Sequence, residues 1–239
     1  MTLVAGHQPN LYPYGGFFSK MASVDKFVIV DNTQYVKKQY HNRNRIKLPG
    51  GETIWLNIPV KTAGRFNQAI NAVETDNIHN WREKHKKTIE RSYRKAPFFE
   101  IFYPELEELL ARDWKFLANF NIEFIRTCAA FLEIDTQLLT ASEANIFGKS
   151  TGLIIDICRK TGADSYLHGK HSLDYVDFKA MDSAGIKSFI QDFHAIEYPQ
   201  NASSFTPNLS ILDIIFNCGK KAKHILNKST TINSWTQKK

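Results

Sequence analysis

The chain has 239 residues, 43% of them hydrophobic, with 31 Lys and Arg against 24 Asp and Glu, a formal charge of +7 and a pI near 9.2. A chain this long buries a full core without staples. Its three cysteines, Cys128, Cys158 and Cys218, are odd in number, far apart and in apolar contexts, so they read as reduced core thiols rather than a disulfide framework or zinc site. No segment approaches the roughly 20 apolar residues of a membrane span and no secretory signal pattern opens the chain; the expectation is a cytoplasmic protein whose charge favours anionic partners.

Leu3-Val4-Ala5 is a short apolar run, followed by "GHQPNLYPYGGFFSKM" at residues 6 to 21. A helix is expected from about 16 to 23, and then Phe27-Val28-Ile29-Val30 forms a second buried strand ending at Asp31. Strand, polar loop, helix and strand make a parallel unit, which puts the loop at the carboxyl end of the first strand, where open α/β sheets bind ligands. His7 and Gln8 stand there as candidate catalytic groups, His7 as acid or base. Asn10 and Tyr14 are candidate substrate contacts. Gly15-Gly16 would admit a ligand at a helix start, where free amides favour an anion. The plain alternative is a loop in which His7 satisfies backbone groups while Tyr12, Tyr14 and Phe17 fill a core.

Residues 37 to 47, "KKQYHNRNRIK", carry five cations and no acid. Arg43, Arg45 and Lys47 would share one face of an extended segment as phosphate-binding groups, with Asn42 and Asn44 on the other as further candidate contacts. "GGETIWLNIPV" reads as a turn and a strand in which Ile54, Leu56 and Ile58 alternate. Residues 82 to 95, with seven Lys or Arg against two Glu, form an exposed basic helix whose Trp81, Ile89 and Tyr93 lie near one face; Pro97 breaks it. After Asp113, apolar residues recur at three- and four-residue steps from Phe116 to Leu132, as in a core helix.

A second α/β portion follows. "STGLIIDICRKTGADSYL" is a helix stopped near Gly162 and a strand, "FKAMDSAGIKSFIQDF" repeats that pattern, and "PNLSILDIIFNCG" is a helix capped by Asn208 or Ser210 and ended by Gly219. The polar tail, including "NKSTTINSWTQKK", is expected to be loosely held, with Trp235 the one residue suited to dock. "FGKSTG" lacks the earlier glycine of a phosphate loop, so Lys149, Ser150 and Thr151 are expected to cap a helix, with Lys149 a candidate anion contact. His168, Gly169, Lys170, His171 and Asp174 cluster after a strand. Their spacing matches no common metal motif, so no metal is assigned and His168, Gly169 and Asp174 are candidate substrate contacts. Asp213, inside an apolar helix where an unpaired charge is expensive, is expected either to pair with a basic loop such as 43 to 45 or to support the site from behind. No serine elbow, CxxC, HExxH or GxGxxG names a reaction.

Taken in order, "HQPNLYPYGGFFSKMASVDKFVIVDNTQY", "HNRNRIK", "WLNIPV", "SYLHGKHSLDYVD" and "FTPNLSILDIIFNCG" resemble the WbqC-like proteins, a bacterial family often associated with O-antigen and other surface-polysaccharide gene clusters. The resemblance spans about 7 to 219. One departure is that the family loop usually has a small residue followed by glycines where residues 168 to 172 stand here. It implies a single WbqC-like domain over 1–239, with α/β subregions at 1–75 and 141–220, a helical subregion at 76–140 and a tail at 221–239. The fold class expected is α/β, with Rossmann-like parallel-sheet portions and an intervening helical region. The first portion also resembles, distantly, the nucleotidylyltransferases, including pantothenate synthetase, which activates a carboxylate with ATP and then forms an amide. The activity implied is transfer of an amino acid such as glycine, or of another acyl group, to a nucleotide-linked amino sugar, with ATP or an aminoacyl-tRNA as the activated source. Two other readings stand beside it: a non-catalytic sugar-nucleotide or glycan binder, and an RNA or aminoacyl-tRNA binder acting through the basic helix.

Overall fold

The computed structural model describes residues 1–201 and 204–236. The first strand is β1 (Leu3–His7), the first helix α1 (Gly15–Ala22) and the next strand β2 (Lys26–Ile29). A hairpin of β3 (Arg43–Lys47) and β4 (Thr53–Asn57) stands apart from the main sheet, with Arg45 opposite Trp55. Three helices follow, α2 (Trp81–Tyr93), α3 (Phe99–Ala111) and α4 (Leu117–Phe131), then β5 (Gln137–Thr140), α5 (Ser150–Thr161), β6 (Ser165–Gly169), α6 (Phe178–Ser183), β7 (Lys187–Phe193), α7 (Ile211–Cys218), α8 (Ala222–Lys228) and β8 (Thr230–Ser234).

Both α/β stretches of the chain enter one six-stranded sheet, ordered β5-β2-β1-β6-β7-β8. All neighbours are parallel except the β7–β8 pair. From β1 the chain steps outward to β2 and β5, then returns to the other side of β1 for β6 and β7. This is a Rossmann-like order, with β1 and β6 flanking the point where the direction of winding reverses.

Residues that alternate along a buried strand pack on opposite faces. Ala5, Phe27, Ile29 and Leu167 join the large core under α1, α2, α3, α4, α7 and α8, whereas Val4, Val28, Val30 and Tyr166 join a smaller core under α5 and α6. Two glycine stops behave as their positions require: Gly162 ends α5 at φ 68° and Gly219 ends α7 at φ 57°. Ser210 rather than Asn208 caps α7, its hydroxyl accepting from the Leu212 amide at 3.2 Å.

Two elements differ from expectation. The tail is structured: β8 pairs antiparallel with β7, Thr230 Oγ1 receives a hydrogen bond from Gln191 Nε2 at 3.1 Å, and Trp235 stacks on Phe178 at 4.2 Å. Its polar composition reflects an edge strand with most side chains in solvent; residues 237–239 lie outside the described residues. Ile54 is 38% exposed while Leu56 and Ile58 are buried, so the period-two pattern of β4 does not extend to its start. Among the described residues no helix is long and apolar enough to cross a membrane.

A chain ending at Ser229 loses the strand that covers β7 and the two side-chain bonds of Thr230. Its thermal midpoint should fall by several degrees relative to the full chain; an unchanged midpoint would mean that β8 adds nothing to the sheet.

Candidate functional site

A cavity of about 1050 Å³ opens at the carboxyl ends of β1 and β6, the reversal point of the sheet. His7 ends β1 and Gly169 ends β6, so the first and second α/β stretches meet there.

The opening loop, residues 8 to 14, is irregular backbone, and other parts of the chain satisfy its polar groups. Asn44 Nδ2 donates to the carbonyls of Leu11 (3.2 Å) and Tyr12 (2.9 Å), Asn121 Nδ2 donates to those of Pro9 and His41 (2.8 Å each), and the Leu11 amide donates to the Tyr40 carbonyl (2.9 Å). Tyr12 turns the loop at φ 45°, unusual for a bulky residue. Its ring is fully buried between Phe120 and Phe124, and its hydroxyl bonds His85 Nδ1 at 2.9 Å.

A chain of hydrogen bonds then orients Gln8. The Val36 amide donates to His41 Nδ1 (3.3 Å), so His41 carries its proton on Nε2 and donates it to Gln8 Oε1 (2.9 Å). Gln8 Nε2 in turn donates to Thr33 Oγ1 (2.9 Å). His7 Nδ1 lies 2.9 Å from the Gln8 carbonyl, which only accepts, so the proton sits on Nδ1 and the Nε2 lone pair is left free. Burial first, then the Lys20 charge, push His7 down to about 4, so the ring is neutral near pH 7.

Lys20 projects from α1 into the same cavity. It is 6% exposed, its Nζ donates to the Gly6 carbonyl at 3.3 Å, and among the described residues it is in no ion pair. Burial lowers it to about 8. Beside it, Tyr166 Oη accepts from the Gly6 amide at 3.0 Å, which leaves the phenolic proton for another acceptor. His168 contacts Ser188 Oγ through Nε2 at 3.2 Å, while its buried Nδ1 has no partner; burial and then Lys20 push it down to about 3. The thirty residues that line the cavity include Lys20, Arg45 and Lys170 and, among the described residues, neither Asp nor Glu. Such a cavity selects for anions. Lys170 is paired with Asp192 at 2.5 Å, so Lys20 and Arg45 supply the uncompensated charge.

The structure thus brings together His7, Gln8, Asn10, Tyr14, Gly16, Asn44, Arg45, His168 and Gly169. Gly169 has open space where a Cβ would stand, which allows close approach, whereas Gly15 and Gly16 are crowded by Leu226 Cδ2 (2.7 Å) and the Tyr14 ring (2.4 Å) and serve packing. Asn44 borders the cavity with its amide already committed to the loop.

Six predicted residues lie elsewhere. Asn42 spends its amide on Asn57 Oδ1 and the Ile58 carbonyl (2.9 Å each). Arg43 donates to the Lys38 carbonyl and covers Trp55. Lys47 is buried and donates to Gln200 Oε1 (2.8 Å) and the Ser204 carbonyl, away from the cavity. Lys149 makes no side-chain cap, Ser150 and Thr151 instead tie down residues 175 and 177, and Asp174 is exposed. Asp213 accepts from the Tyr93 and Tyr198 hydroxyls at 2.8 Å each rather than from the 43 to 45 arginines. Burial raises its pKa despite both bonds. Helix α2 also lies outside the cavity, with Arg82 paired to Asp113 (2.8 Å) and Lys86 to Glu107 (2.9 Å).

Sequence reasoning missed Lys20, Tyr166 and Gln191, which donates to the Gly16 carbonyl at 3.2 Å. The sequence alone does not single out Lys20: that its helix neighbours pack inward is visible only in the fold.

The WbqC-like protein family model matches residues 8–225. The chain belongs to the WbqC-like family. A relative from Mycobacterium tuberculosis (strain ATCC 25618 / H37Rv), described as uncharacterized protein Rv1507c, is 31% identical over 228 residues, covering 95% of this chain and 98% of the relative. No solved structure matches the chain. The family model's match thus takes in both halves of the cavity, from Gln8 through β6 and β7.

Two measurements probe these electrostatics. Lys20→Met removes a charge that depresses His7, so the His7 titration followed by NMR should move up from about 4 toward the ordinary 6.5; an unmoved value would separate the two groups. His7, His41 and His85 are held near 4 and His168 near 3, chiefly by burial, against about 6.5 unfolded. Between about pH 6.5 and 4 the unfolded chain takes up protons that the folded chain refuses. Stability that is full above pH 6.5 should therefore fall as the pH drops through that window, and urea midpoints at pH 7.5 and 5 check it.

Proposed function

We propose that this WbqC-like protein forms an amide on the amino group of a nucleotide-linked amino sugar, taking the acyl group, such as glycyl, from an activated donor. The observation that carries the reading is the free Nε2 lone pair of a neutral His7 in an acid-free cavity that also holds the buried cation Lys20. The attacking amine must lose a proton as its nitrogen bonds to the donor's carbonyl carbon. His7 Nε2 takes that proton, the new C–N bond forms, and the bond from the carbonyl carbon to the donor's oxygen leaving group breaks with its electron pair going to that oxygen. Lys20 and Arg45 hold phosphate or the developing negative charge, where low-dielectric surroundings strengthen their effect. With a free amino acid as donor, ATP supplies the activation and pyrophosphate is released; an aminoacyl-tRNA arrives already activated. Gln8, locked by His41 and Thr33, presents fixed polar atoms beside His7 and orients substrate.

Incubation with ATP, glycine and a panel of nucleotide-linked amino sugars should release pyrophosphate and yield an amide detectable by mass. His7→Ala should lower kcat by roughly 10²- to 10⁴-fold and leave binding largely intact. The kcat/KM profile of the free enzyme should fall as pH drops through about 4, where His7 protonates, and as it rises through about 8, where Lys20 loses its charge. Absence of amide across a panel of amino acids, acyl donors and aminoacyl-tRNAs would sink the reading.

A further inference from the structure

The rim of the cavity carries an aromatic feature that the chemistry above does not use. Tyr40 lines the cavity and is 45% exposed; Trp55, on β4, is 43% exposed; their rings lie 6.1 Å apart, tilted by 38°. The guanidinium carbon of Arg43 is 4.5 Å from the Trp55 ring centroid and that of Arg45 is 5.7 Å. Among the described residues neither arginine is in an ion pair, unlike Arg65, Arg82, Arg112 and Arg126.

This group is anchored before any ligand arrives. The Tyr40 carbonyl is held by the Leu11 amide, Arg43 reaches from the hairpin to the Lys38 carbonyl, and Trp55 sits opposite Arg45 in the β3–β4 ladder. Fixing exposed rings in advance removes an ordering cost from whatever binds them.

We propose that Tyr40, Trp55 and Arg45 form a nucleobase platform at the cavity rim, on which the base of a nucleotide stacks while its phosphates extend inward to Lys20. A nucleobase stacks on aromatic rings and on guanidinium planes alike. Arg45, which both flanks Trp55 and lines the cavity, is placed to touch the base and the first phosphate together. A lipid surface fits less well, because two arginines flank the exposed Trp55 indole and keep an apolar medium away from it. The hairpin that supplies the platform stands outside the sheet, so base recognition is an addition to the Rossmann-like scaffold rather than part of it. The proposal rests on the reading of the cavity as a nucleotide site and is independent of the amide-forming step.

Calorimetric titration of the full chain with inorganic pyrophosphate, UDP and ADP at one low salt concentration tests it. At least one nucleoside diphosphate should bind tenfold or more tightly than pyrophosphate, a gap of about 1.4 kcal/mol. Tyr40→Ala and Trp55→Ala, both at half-exposed positions that leave the core intact, should narrow that gap while changing pyrophosphate affinity less than twofold. Nucleotide should also quench a tryptophan signal that is absent in Trp55→Ala. Equal affinities for all three ligands, or a gap that neither variant narrows, overturns the platform while leaving the phosphate site standing. No binding by any of the three overturns both.

Discussion

The carbonyls of an irregular loop at the end of a central strand find no partners in the sheet, and a buried one left unpaired costs more than most single contacts supply. In this chain the loop after β1 meets that constraint through two asparagine amides brought from far along the sequence, Asn44 on the hairpin and Asn121 on α4. Almost everything at the cavity follows from it. The hairpin must lie against the loop, α4 must run beneath it, and the segment from 36 to 41 is drawn in by the Leu11–Tyr40 bond. His41 then reaches Gln8, and the Gln8 carbonyl fixes which nitrogen of His7 carries the proton.

That arrangement explains why the fold was easier to read than the site. Strands such as β2 announce themselves by continuous apolar runs, here Phe27 to Val30, and α4 by its helical repeat, because burial on a face imposes a period. Ligand contact imposes none. In "HNRNR", spacing alone marks Asn42 and Asn44 as polar groups facing one way, and spacing is equally satisfied by substrate contacts and by staples. Only the three-dimensional partners, Leu11, Tyr12 and Ile58, show that these amides are spent on the protein itself. Lys47 differs in the same way: it keeps the parity of Arg43 and Arg45, but the chain has by then passed under Gln200 and Ser204. The tail was misread because an edge strand in solvent has the composition of a loop. Lys20 was passed over because one lysine in an apolar helix stands out only when every neighbour is known to be buried.

The electrostatic character of the cavity comes from exclusion. His7, His41 and His168 are neutral near pH 7, and among the described residues the cavity has no acids and its central lysine no counterion. Holding Lys20 charged and unpaired costs stability, which the large core on that face of the sheet offsets. An anion that enters would relieve the cost, and would raise the proton affinity of His7 and Lys20 together. Binding and protonation are therefore coupled at the floor of the site.

The pairing of β1 with its neighbours sets a further condition on how the protein is made. Leu3 and Val4 pair with Ser165 and Tyr166, and Thr230 meets Ser19 across more than two hundred residues. The strand that carries His7 precedes its partners in the chain, yet one of its edges stays open until β6 has been synthesised, and β7 keeps an open edge until β8 follows. Contacts so distant in sequence are slow to form and leave sheet edges available to other chains meanwhile. The cavity is thus completed only once both stretches of the sheet have been made, and the nascent first half is the stage at which aggregation or chaperone capture has its opportunity.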